Sequence, residues 1–340
     1  MDFDGTERIV CENIAMKRIL LVKTSSLGDV IHNLPVVNDL LQHYPDAQID
    51  WIVEESFADI PALHPSIHNV KKVAVRRWRK QLLRCNTWQE IRAFKQSLDS
   101  HYDAVIDTQG LIKSALISRM AHGAKHGYDQ HSIREPLASR AYQHTYAISY
   151  QQHAVTRNRT LVAQALGYTV HTHHPDYGIQ AHTTQLPVSM PLPKSFVIGL
   201  HGTSRDSKLW PTECWITLGK QLEAEATALA LPWASQAEKQ RAEQIQSQLS
   251  HAIVLPKLNI GQLATIIAQA RVAIGVDTGL SHLAVALSIP TIAIYTDTDP
   301  ALTGVLAGAF APAINLGNQH EVPTADEVFN AYQQLIERAP

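Results

Sequence analysis

Two short stretches hold the residues best suited to chemistry on an anionic substrate. In KTSSLGDVIHNLP, Gly28 and Asp29 follow an apolar run that ends at Val22 and open a helical pattern. In GVDTGLSHLAVAL, Asp277, Thr278, Gly279 and His282 follow a second apolar run and open another. A strand that delivers a small polar turn to a helix start leaves free backbone N–H groups and the positive end of the helix dipole, which favour an anion. Asp29 has two readings. As an N-cap its carboxylate would accept backbone N–H bonds; as a general base it would stand at the carboxyl end of a strand, where open α/β sheets bind ligands. The other half of the chain bears on the choice. There HGTSRDSKLWP sets Thr203, Ser204, Arg205 and Lys208 in a hydroxyl-rich basic loop after a run ending at Leu200. A diphosphate needs donors and positive charge, and Lys208 offers a flexible one. Gly279 permits close backbone approach, and Asp277, unsuited to phosphate itself, is placed to orient Lys208. Lysine and arginine are common on solvated loops too, so the combination carries the reading: a nucleoside diphosphate.

Other chemistries are less well supplied. GxGxxG and GxxxxGK[ST] do not occur, which argues against a standard dinucleotide site and a P-loop. Asp297-Thr298-Asp299 has the spacing to hold a divalent metal, but Pro300 marks a turn there. Lys208 and helix N-terminal amides can replace the metal electrostatically, so no metal and no cofactor is expected. His171, His173 and His174 are close together, and with no second ligand group at finger or helical spacing they read as linker rather than zinc site.

A basic segment stands out. From Ile60 through Gln89 there is no acidic residue, while Lys71, Lys72, Arg76, Arg77, Arg79, Lys80 and Arg84 are cationic and Trp78 lies among them. A solvated loop or a nucleic-acid surface would look similar, but a single short cluster lacks a matching basic face for RNA or DNA. Guanidinium forks beside a tryptophan suit an anionic amphiphile at a membrane surface. Arg134 and His153 are further polar candidates in that half.

The elements that must position these residues alternate along the chain. Apolar β-type runs fall at 18–22, 48–53, 70–75, 104–107, 196–200, 226–231, 253–255, 271–276 and 291–295. Amphipathic helical runs fall at 30–43, 88–100, 114–121, 212–224, 237–249, 260–269, 280–287 and 325–338. Such alternation calls for parallel sheets covered by helices, an α/β fold. A Pro-bearing polar stretch with Pro187, Pro191 and Pro193 places a boundary near 185–195. The expected organisation is an extension at 1–15 outside the fold, a unit at 16–185, a second at 190–322 and a terminal helix at 323–340. At 340 residues, 45% hydrophobic, the chain can fill two cores; its net charge of −2 implies no nucleic-acid partner. Three scattered cysteines and no secretory pattern point to a reducing, cytoplasmic setting.

Taken in order, MKRILLVKTSSLGDVIHNLP, RRWRK, YDAVIDTQGLIKSA, HGxxHGYD, REPLAS, TSRDSKLWP, LPWAS and VDTGLSHLAVAL resemble the lipopolysaccharide heptosyltransferases of glycosyltransferase family nine. The resemblance runs from Met16 to about Pro300, and TSSLGDVIHNLP and RRWRK favour type I over types II and III. It implies a GT-B fold, two Rossmann-like domains facing across a cleft, the N-terminal one binding acceptor and the C-terminal one ADP-sugar. It implies inverting transfer of L-glycero-D-manno-heptose from its ADP-activated β form to the first Kdo of Kdo2-lipid A, without a metal, at the cytoplasmic face of the inner membrane. Carried over by resemblance, Asp29 is the catalytic base, and Lys208 stabilises the departing diphosphate. Donor contacts fall on Thr203, Ser204, Lys208, Glu238, Leu258, Asp277, Thr278, Gly279 and His282, and acceptor contacts on Arg76, Arg79, Lys80, Arg134 and His153. Ser204 stands where the family usually has Thr, and a hydroxyl is kept. Two other classes share such a scaffold: a nucleotide-sugar epimerase, which would not need the basic segment, and a non-catalytic nucleotide- or lipid-binding protein, which would not need both Asp29 and Lys208.

Overall fold

Branched and apolar runs at the strand positions build two six-stranded sheets, every pairing parallel. The computed structural model describes residues 17–170, 174–181 and 192–337. The first sheet holds β1 (Arg18–Val22), β2 (Gln48–Glu54), β3 (Ile67–Val73), β4 (His101–Asp107), β5 (His122–Tyr128) and β6 (His144–Tyr146), in the order β3-β2-β1-β4-β5-β6. The second holds β7 (Phe196–Leu200), β8 (Ala228–Leu231), β9 (Ala252–Val254), β10 (Val272–Val276), β11 (Thr291–Ile294) and β12 (Ala313–Leu316), in the order β12-β11-β10-β7-β8-β9. Counted from its own first strand, each sheet runs 3-2-1-4-5-6, the doubly wound order whose ligand crevice opens where the winding reverses. That point lies between β1 and β4 in one sheet and between β7 and β10 in the other.

The structure departs from the sequence reading in three respects. The helical run at 30–43 is two helices, Leu27–Ile31 and Pro35–His43, because Pro35 lacks the N–H that an unbroken helix would need and instead begins the second one. β5, β6 and β12 were not foreseen: β5 reads HGAKHGY, poor in strand formers, and the other two have three and four residues. The helix Ala154–Leu166 was also missed. Its apolar positions are diluted by Arg157, Asn158 and Arg159, and Arg159 is buried in a bidentate pair with Asp39. The extension 1–15, the boundary prolines 187 and 191, and His171 and His173 lie outside the described residues.

The terminal helix Ala325–Glu337 lies on the second sheet, burying Val328, Tyr332 and Leu335 with Trp210 and Trp215. Trp210 donates its indole N–H to Pro323 O, fixing the helix start. The largest apolar cluster is shared: Ile19, Leu21, Trp51 and Ile106 of the first sheet belong to the same buried body as Ile198 and Leu200 of the second and Leu283 of the helix packed on it.

Candidate active site

Val22 is the last residue of β1, and Lys23 to Ser26 carry the chain into the helix Leu27–Ile31. Gln109, from the turn after β4, pins this segment by accepting the N–H groups of Thr24 (3.0 Å) and Ser25 (2.9 Å) at Oε1. Lys113 adds a bond from Nζ to Ser25 Oγ. Ser26 is the N-cap. Asp29 is therefore not the cap but its partner three residues on, accepting the Ser26 N–H (2.8 Å) and hydroxyl (2.9 Å) at Oδ2. Its Oδ1 has no partner among the described residues. One oxygen anchors the carboxylate and the other is left for chemistry.

Across from it, the turn after β10 is cross-braced to the loop after β7. Asp277 Oδ2 accepts Lys208 Nζ (2.5 Å) and the Thr298 hydroxyl (2.6 Å), while Asp277 O accepts the Thr203 hydroxyl (2.9 Å). Lys208 thus keeps two N–H groups for a ligand. Thr278 caps the helix Gly279–Ala286 without a side-chain bond, and the first turn of that helix carries no acidic residue. The two helices behind these turns approach closely. A Cβ on Gly279 would stand 2.7 Å from Leu27 side-chain carbons, and one on Gly28 would stand 3.2 Å from the His282 ring. Glycine at both positions lets the two winding-reversal points meet.

Between them lies a cleft of about 460 Å³. Asp29, His32 and Arg76 line it from the first half, and Thr203, Ser204, Lys208, Asp277, Thr278, Gly279 and His282 from the second. A second cavity of about 140 Å³ opens from Asp29 towards Lys23, Gln109, Arg134 and Arg157. Arg157 is held over the rings of Tyr128 (4.7 Å) and Tyr150 (4.2 Å). Lys23 is buried and donates to Thr108 O; burial lowers its pKa, with Asp29 and Asp107 opposing the shift. Three cations around one carboxylate suit a ligand that brings a carboxylate of its own.

A third cavity, about 570 Å³, shares Thr203 with the cleft and is lined by Glu238 and His201. Glu238 Oε2 accepts the N–H groups of Ala234 and Ser235. Its other side faces Gly202, where a Cβ would be 2.8 Å from the carboxyl carbon.

The remaining candidates stand apart. Arg79 and Lys80 are exposed beyond the short helix Val75–Trp78 and line none of these three cavities, and Leu258, half-buried before the helix Ile260–Ile267, lines none either. Arg77 is tied to Glu55 and Glu90. His153 caps the helix Ala154–Leu166: its Nδ1 accepts Val155 N–H and its Nε2 donates to Gly304 O. One nitrogen caps its own helix and the other joins the halves. Four residues of the site escaped the sequence reading: Lys23, His32, Gln109 and Arg157. YDAVIDTQG carried a signal for Gln109, since a polar turn after an apolar strand is the pattern that singled out Asp29.

Residues 91–328 match the family described as glycosyltransferase family 9 (heptosyltransferase). Lipopolysaccharide heptosyltransferase 1 of Escherichia coli O18:K1:H7 is 43% identical over 94% of this chain and 97% of its own length. The solved E. coli heptosyltransferase WaaC with ADP superposes with a TM-score of 0.85 at 41% identity, covering 93% of this chain and 99% of that one. The same enzyme with ADP-2-deoxy-2-fluoro heptose gives 0.81 at 42% identity, covering 94% and 99%. With the shared doubly wound order and a cleft at both reversal points, these likenesses make the chain a member of glycosyltransferase family 9, the heptosyltransferases.

Proposed function

We propose that the chain transfers L-glycero-D-manno-heptose from its ADP-activated β form to the first Kdo of Kdo2-lipid A, with inversion, in lipopolysaccharide inner-core assembly. The observation that carries this reading is the position of Asp29, whose side chain borders both the Lys208–Thr278 cleft and the Lys23–Arg134–Arg157 cavity. Inversion needs that arrangement: a base on the acceptor side and a leaving diphosphate on the other. Asp29 Oδ1 takes the proton of the acceptor hydroxyl as that oxygen attacks the anomeric carbon and the bond to ADP breaks. Negative charge grows on the departing diphosphate, where Lys208 and the N-terminus of the helix Gly279–Ala286 strengthen their hold. Arg134 and Arg157 pair with the Kdo carboxylate. Thr203, Ser204 and Glu238 hold the nucleotide and its sugar hydroxyls. The relatives' names and bound ADP-sugar analogue support the donor; the basic second cavity supports the acceptor.

The reading includes a lipid surface. No described helix is long and apolar enough to cross a membrane. Leu83 is fully exposed, and Leu82 and Trp88 are at least half exposed. Arg79, Lys80, Arg84, Arg92 and Lys95, exposed as well, lie near them along the chain. An apolar tip with cations close by suits the anionic interface from which a lipid acceptor must be drawn.

The test is heptose transfer from ADP-heptose to Kdo2-lipid A by the wild type and by Asp29→Asn. The variant should keep the fold and the ADP affinity and lose kcat by about 10³-fold or more. Near-normal kcat in Asp29→Asn would reduce Asp29 to a helix-capping residue and overturn the mechanism.

A further inference from the structure

The mechanism above leaves unused a histidine pair that joins the two halves. His32 follows the helix after β1, and His282 lies in the helix after β10. His32 Nε2 is 3.1 Å from His282 Nδ1, with the rings crossed at 82°. Such a bond needs one N–H and one lone pair. The other nitrogen of His32 decides which ring gives the proton. His32 is 3% exposed, and its Nδ1 has no partner. A proton on Nδ1 would bury an unsatisfied N–H, whereas an unfilled lone pair there costs less. The proton of His32 is therefore on Nε2, donated to His282 Nδ1. With Nδ1 acting as acceptor, His282 must carry its own proton on Nε2. That nitrogen has no bonding partner among the described residues, and it lies beside Gly28 on the wall of the cleft, near Lys208 and Thr278.

We propose that His32 is a positioning residue that holds His282 in its Nε2–H form, so that the cleft presents a fixed, neutral N–H donor to an oxygen of the ADP-sugar. This rests on the heptosyltransferase reading for its substrate, not for its tautomer. Neutrality follows from burial, which pushes the His32 pKa well below its usual value and that of His282 to about 4. Lys23 and His153 face His32 and also disfavour its charge; around His282, Asp277 and Asp29 oppose the shift while His153 and Lys208 add to it. The gain is orientation. An imidazole free to exchange tautomers would offer a lone pair to the same oxygen part of the time, and partners behind a functional histidine typically matter by 10- to 100-fold.

The experiment pairs ¹⁵N NMR of the imidazoles in the full chain with steady-state kinetics for wild type, His32→Gln and His32→Met. Gln keeps an N–H near the Nε2 position; Met keeps bulk without a donor. The wild type and His32→Gln should show His282 protonated on Nε2, and His32→Met should show a mixture. Kcat should fall about 10-fold in His32→Met, with the KM for ADP-heptose and the melting midpoint nearly unchanged, and His32→Gln should recover most of it. His282 protonated on Nδ1 in the wild type would overturn the inference even with full heptosyl transfer, and so would equal kcat losses in both variants. A wild type with the expected tautomer and no heptosyl transfer would overturn the function instead.

Discussion

At the scale of single residues, the site depends on shared ligands. Asp277 neutralises Lys208, and both side chains are mostly buried. Replacing Lys208 by Ala should therefore do two things: remove the charge that meets the leaving diphosphate, and leave an unpaired carboxylate facing it. Lys208→Ala should weaken ADP and lower kcat by about 10²-fold or more, the loss seen when one transition-state donor is removed. The double variant Lys208→Ala/Asp277→Asn should regain ADP affinity by calorimetry without regaining kcat. Recovery of both would make Lys208 a counter-ion to Asp277 and nothing more. Residues of this kind were legible in the sequence because each sits in a short polar turn between an apolar run and a helix. Lys23, His32 and Arg157 were not. Lys23 reads as a strand flank, His32 reads as an ordinary polar position on a helical run, and Arg157 falls in a stretch with no readable period. The roles of Lys23 and His32 come from residues 85 and 250 positions away in the chain, Thr108 and His282.

At the scale of elements, the strongest strands and longest amphipathic helices were read with small errors at their ends, since period and burial agree there. Short strands failed. β6 and β12 are formed by pairing with a neighbour already in place rather than by their own preference, a reason that no local window contains. The closest helix contact between the halves shows how packing overrides propensity. Gly to Ala within a helix ordinarily gains about 1 kcal/mol. At Gly279 the added carbon would overlap the Leu27 side chain, so Gly279→Ala should lose about 1–3 kcal/mol, the usual cost of overpacking. Denaturant unfolding decides the sign. A second change, Leu27→Ala, should restore part of the loss if that overlap is its cause.

At the scale of the whole molecule, the tip at Leu82, Leu83 and Trp88 is separate from the cleft and can be altered without touching it. Leu82→Ser/Leu83→Ser should reduce co-sedimentation with phosphatidylglycerol vesicles and raise the KM for Kdo2-lipid A several-fold, leaving the KM for ADP-heptose unchanged. Unchanged sedimentation would leave the tip as solvated loop. The buried apolar body that runs through both sheets bears on how the chain comes apart. Two units joined only by a linker would melt in two steps, each with its own midpoint. Here neither half can expose its share of that body without stripping contacts from the other, so thermal denaturation should be one cooperative event. Fluorescence from Trp51 in the first sheet and Trp215 in the second, each kept in turn with the other tryptophans replaced, should report coincident midpoints. On the proposed reading ADP sits between residues of the second half, yet at 100 times its Kd it should add about 2.7 kcal/mol to the folded state as a whole. The Trp51 midpoint should climb with the nucleotide as far as the Trp215 midpoint does.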